Sequence, residues 1–134
     1  MTGITALLLF AAWTLLLMMT YIGYRVALVF TRGTPADSWT RGTVTKDPGF
    51  FTRAQHAHLN CVENLPVFAA VVLGAYALGQ APVADFAGPY VLVARLAQST
   101  VHLIGVNHWL VMIRAGFFTV QVALLFYMIA TLLA

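Results

Sequence analysis

Arg53, His56, Asn60 and Glu63 stand at offsets of 0, 3, 7 and 10 in the stretch RAQHAHLNCVENLP, which runs directly into the apolar segment VFAAVVLGAYALG. At about 100° per helical residue the four share one stripe about 80° wide, with Asn64 beside it and His58 facing nearly the opposite way. A second stripe follows downstream, where Arg95, Gln98, Ser99 and His102 fall at offsets of 0, 3, 4 and 7. Arg114 opens a further apolar run. Ionisable groups in hydrocarbon are costly unless they are paired or line a polar cavity, so their clustering marks a site. Glu63 is the only acidic residue inside an apolar run, and Arg95 is expected to pair with it, within or between subunits. Arginines joined by amides and one carboxylate at a single membrane face suit a small anionic molecule that carries its own ammonium group. Glutathione has that chemistry: carboxylates for the arginines, an amine for the glutamate, peptide groups for the amides, and a thiol whose ionisation a guanidinium favours.

Other chemistries find less support. His56 and His58 diverge at i, i+2, and the histidines show no HxxxH or HxxEH spacing, so no metal is expected. No Ser-His-Asp set is apparent, and the lone Cys61 has no designated base and reads as a small packing residue. His58 and His108 read as hydrogen-bonded surface or packing residues. There is no glycine-rich phosphate loop, no internal repeat, and no expected nucleic-acid partner.

The elements that must position these residues are apolar helices. The chain has 134 residues, 61% hydrophobic and only 8% charged, a balance foreign to soluble domains. Spans are expected at about 4–30, 53–79, 86–106 and 114–134, each near the ~20 residues needed to cross ~30 Å of hydrocarbon. The first lacks the basic start and the small-residue cleavage site of a signal peptide and reads as a mature span. The expectation is an all-α integral membrane domain over 1–134, a bundle of four transmembrane helices. Pro66 is expected to weaken the backbone ladder of the second and kink it just past Glu63.

Arg25, Arg32, Arg41, Lys46 and Arg53 flank the first connection and Arg114 the third, whereas the second, GQAPVAD, has no basic residue. The positive-inside rule then places the loop 31–50 on the cytoplasmic side, in contact with membrane lipids. That loop is expected to be irregular, with turns at TPAD and KDPG.

The run RAQHAHLNCVENLPVF after a basic loop, its core N-x-x-E-x-x-P at Asn60, Glu63 and Pro66, and an arginine at the start of the last span resemble the MAPEG superfamily, the membrane-associated proteins in eicosanoid and glutathione metabolism. The likeness is to its bacterial branch and to microsomal glutathione transferases. It implies a homotrimer in the bacterial inner membrane with glutathione, as co-substrate, bound between subunits near the cytoplasmic face. Arg53 or His56 would take the place of the second-helix cation, Asn60 and Glu63 the glutathione-binding pair, and Arg114 the catalytic arginine that stabilises the thiolate. His102 would stand where a tyrosine contacts the tripeptide, Arg95 where many members have a third-helix arginine, and Arg25 in the place of an arginine that assists the chemistry in some members; Gln98, by residue type, is a further glutathione-binding candidate for the peptide groups. Departures are His102 where a tyrosine is usual, Ala115 after Arg114, Phe118, and a third connection, VNHWLVMI, longer than usual.

The activity implied is glutathione transfer to, or glutathione-dependent reduction of, lipophilic electrophiles dissolved in the bilayer. Two other readings compete: a non-enzymatic lipid-binding protein of the same fold, and a small multidrug-type transporter. The transporter is disfavoured because its key glutamate usually lies in the first span, which here has none.

Overall fold

The structure is a computed structural model that describes residues 1–40, 42–44 and 46–134; Arg41, one of the basic residues flanking the first connection, lies outside the described residues. Four long helices follow in order: α1 Gly3–Arg32, α2 Gly49–Ala77, α3 Ala81–Ile104 and α4 His108–Leu133, with a 3-10 turn at Ala36–Trp39 between α1 and α2. At 1.5 Å per residue they run from roughly 36 to 45 Å, enough to cross hydrocarbon with turns to spare. Three of them, α1, α2 and α4, are also apolar enough to span a membrane. α3 is long enough but less apolar, and its polar face explains why. It packs on all three other helices and buries Arg95, Gln98, Ser99 and His102 inside the bundle, so it has the least need of a lipid-facing surface.

Local chemistry sets the helix ends. Thr2 caps α1 by accepting from the Thr5 amide at 3.1 Å, and Gly33 ends it in a left-handed conformation (φ 63°) that side chains rarely adopt. α2 runs unbroken through Pro66. Asn107 caps α4, its side-chain oxygen accepting from the Leu110 amide at 2.9 Å. That cap corrects the expectation of a long third connection. HWLVMI is the opening of α4, leaving only residues 105–107 between the helices. The expected irregular first loop likewise contains a 3-10 turn over ADSW.

At the end of the bundle away from that loop, α1 and α3 approach through small residues. A Cβ on Gly3 would sit 2.7 Å from Ala84 Cβ and 2.9 Å from its backbone, and one on Gly88 would lie 3.3 Å from Gly3 Cα. Close approach of this kind lets membrane helices gain packing that hydrophobicity alone does not supply between them. Asp85 reinforces the contact, accepting from the Gly3 amide at 2.7 Å and the Tyr76 hydroxyl at 2.6 Å. Because the colliding atoms include backbone, Gly3→Ala is expected to cost about 1–3 kcal/mol, read as a lower thermal midpoint in detergent. An unchanged midpoint would show that the start of α1 is free to shift.

At the opposite end a clasp holds the first loop. Arg25 donates from Nε and Nη2 to Asp47 Oδ2 at 2.9 and 2.7 Å and from Nη2 to Gln55 Oε1 at 2.8 Å. Asp47 Oδ1 accepts from Trp39 Nε1 at 2.9 Å, and the Arg25 guanidinium lies over the rings of Tyr21 and Trp39.

Candidate functional site

α2 and α4 scarcely touch each other, although both pack on α3. Their separation leaves a groove with α3 as its floor, and both polar stripes open into it. The mouth, about 710 Å³, is lined by Arg53, His56, Asn60, His102 and Arg114. It shares Asn60 and Arg114 with a deeper pocket of about 280 Å³, which adds Glu63, Asn64, Arg95 and Gln98. Four cation-capable side chains, two guanidiniums and two imidazoles, therefore converge on one opening.

Within the groove the donors are unequally satisfied. Arg53 donates from Nε to the Leu103 carbonyl at 2.9 Å, so it also caps the C-terminus of α3, where a cation is favourable. The His56 and His102 rings lie 6.1 Å apart between centroids, a gap that one oxygen of a ligand or water can bridge. Gln98 Oε1 accepts from Gln121 Nε2 at 2.8 Å, which leaves the Gln98 amide N–H groups for the pocket. Arg95 is 0% exposed, yet among the described residues its Nε and Nη2 have no hydrogen-bond partner, and neither does the buried Nε of Arg114. The Arg95 guanidinium rests 5.3 Å from the centre of the Phe10 ring, a modest compensation. A buried guanidinium without an anion is strongly disfavoured.

Glu63 is the groove's one carboxylate, but it forms no ion pair with Arg95 inside a subunit: among the described residues the only such bridge is Arg25 to Asp47. The two line the same pocket instead. Glu63 and His56 are exposed in the single chain, on a helix face otherwise bound for hydrocarbon.

The structure thus gathers Arg53, His56, Asn60, Glu63, Gln98, His102 and Arg114 around one space. Arg25 is not among them; it belongs to the loop clasp on the α1 side of α2. His58 faces α1, its Nδ1 3.0 Å from the Tyr21 hydroxyl. Cys61 is fully buried with its Sγ 3.7 Å from Ser99 Oγ. Among the described residues no cluster of three His, Cys, Asp or Glu could hold a metal. Sequence reasoning misses Gln121, which is 1% exposed and fixes Gln98. A lone glutamine in the middle of an apolar run is the signal that could have found it.

The model of the MAPEG family matches residues 3–134, nearly the whole chain. The chain belongs to the MAPEG family. No curated protein matches it. As a MAPEG protein with three helices able to span and a fourth packed among them, it is an integral, multi-pass membrane protein. The Asn60, Glu63 and Pro66 segment that carries the resemblance lies on α2, with Asn60 and Glu63 turned into the groove.

Proposed function

We propose that this MAPEG protein is a glutathione transferase or glutathione-dependent peroxidase acting on lipophilic electrophiles, built as a homotrimer of four-span subunits. The observation that carries the reading is the groove itself: unpaired N–H groups of Arg95 and Arg114 beside Asn60, Gln98 and a single carboxylate. Glutathione brings two carboxylates to such a cationic mouth and an ammonium to Glu63. Arg53, His56 and His102 bind the tripeptide, while Asn60 and Gln98 meet its peptide groups. Arg114, common to both compartments, is the catalytic residue. Its charge favours the thiolate, which is the nucleophile.

The trimer answers a separate difficulty. Glu63 and His56 line the open side of the groove and are exposed in the single chain, and a carboxylate left open to lipid is untenable. A neighbouring subunit covers that face, and Arg25 would reach the site only across such a boundary. The loop 31–50 faces the cytoplasm by its charge, and the membrane is a bacterial inner membrane.

Purified protein in nanodiscs, given glutathione and a nitroaryl halide, is expected to form the thioether well above the uncatalysed rate. A lipid-binding scaffold would form it at the background rate, which would overturn the reading.

A further inference from the structure

A thiol that ionises inside the groove gives up a proton, and Arg114, whose guanidinium is always charged, cannot take it. Two other side chains at the mouth can. His56 and His102 line the same compartment as Arg53, Asn60 and Arg114, with their rings 6.1 Å apart between centroids and tilted by 42°. His58 is tied to the Tyr21 hydroxyl, whereas these two are turned to the groove. They stand at different depths. His102 is only 5% exposed, and His56 is exposed at the rim.

The surroundings of His102 suit a group that takes a proton and passes it on. It shares the mouth with Arg53 and His56 on α2 and Arg114 on α4, and among the described residues no carboxylate and no residue of α1 lines that compartment. Arg95, on its own helix, lies two turns deeper. A further positive charge is unwelcome beside those guanidiniums, so the neutral ring, with one nitrogen free to accept, is the form that fits. Once a thiolate stands in the groove the balance reverses. An imidazolium then has an anion beside it, and it sits in the last turn of α3, where a cation is favoured. Arg53, donating to the Leu103 carbonyl at 2.9 Å, holds that turn in place.

Resting on the glutathione reading, we propose that His102 is the base that takes the thiol proton and that His56 carries it out to water at the rim. The S–H bond breaks with its electron pair left on sulfur, and the proton goes to the free ring nitrogen of His102. The other ring N–H of His102 gives up its proton through one bridging water to His56, which releases it to solvent. Both rings end neutral, and the negative charge on sulfur is balanced by Arg114. No oxidant or reductant is involved. Arg114 sets how far the thiol ionises, and His102 sets how fast.

Rapid mixing of the protein in nanodiscs with saturating glutathione, followed by thiolate absorbance, separates rate from extent. His102→Gln keeps polar atoms for the tripeptide but cannot take a proton. It should reach a similar final amplitude about tenfold or more slowly, and free imidazole, small enough for a mouth of about 710 Å³, should restore the rate in proportion to its concentration. An unchanged rate, or a slow one that imidazole does not restore, would overturn the proposal. His56→Gln, at an exposed position, tests the exit even if the buried substitution unfolds the protein. Ionisation should slow and recover in concentrated buffer; a rate equal to that of the wild type would overturn the relay. The wild type alone gives a third readout. Between about pH 7 and 8, above the ordinary imidazole range, its rate should stay level, and a rise of about tenfold would name hydroxide as the acceptor instead. A wild type with no saturable thiolate signal would defeat the glutathione reading itself, whereas a normal amplitude with any of the contrary rates would defeat only the proton route.

Discussion

Arg114→Ala should lower conjugation of a nitroaryl halide by about two to three orders of magnitude while leaving the assembled protein folded. Arg114 is half-buried and belongs to both compartments of the groove, and its Nε has no partner. Removing it breaks no side-chain hydrogen bond among the described residues, so stability should change little. What is lost is the charge that holds glutathione as thiolate, and with it the nucleophile. Arg114→Lys, which keeps the charge but not the planar fork, should retain part of the activity. The comparison is read from kcat/KM, with size-exclusion profile and thermal midpoint as controls. Full activity in Arg114→Ala would show that the thiolate is stabilised elsewhere.

The second large effect concerns Glu63 and Arg95. Among the described residues Arg95 is the largest fully buried side chain, and its charge is tolerated only if an anion stands near. Glu63 lines the same pocket without bridging to it inside the subunit. The account has Glu63 serve Arg95 across the pocket or across a subunit boundary, and turn to the ammonium of glutathione when that is bound. Glu63→Gln should destabilise the assembly by about 3–5 kcal/mol, because it leaves the buried Arg95 charge without its anion; Arg95→Gln, which removes that buried charge, should cost less. The double variant should cost less than the sum, with a coupling between 0.5 and 3 kcal/mol or so. Thermal unfolding of all four proteins measures it. Strictly additive losses would mean that Arg95 finds its anion elsewhere and that Glu63 serves the ligand alone.

The parts of this picture that are legible in the sequence are those governed by helical spacing. A period of 3.6 places Arg53, His56, Asn60 and Glu63 together and turns His58 away, and the structure has His58 on Tyr21. The same period unites Arg95, Gln98, Ser99 and His102, all buried in the bundle. Helix ends are less legible because they depend on caps rather than on hydropathy. Asn107 starts α4 six residues before the apolar run that begins near Arg114, and α2 starts at Gly49, before Arg53. Least legible are contacts between helices. Nothing in the chain's order announces that Arg53 caps α3 through Leu103, that Arg25 belongs to Asp47, or that Gln121 orients Gln98. Each joins residues more than twenty positions apart, where spacing along one helix carries no information.

The central claim is that the groove between α2 and α4 binds glutathione and ionises its thiol. Titrating the purified protein with glutathione while following thiolate absorbance in the ultraviolet tests it most directly. The account predicts a saturable rise at neutral pH that disappears in Arg114→Ala; a wild-type protein that shows no saturable signal would contradict it.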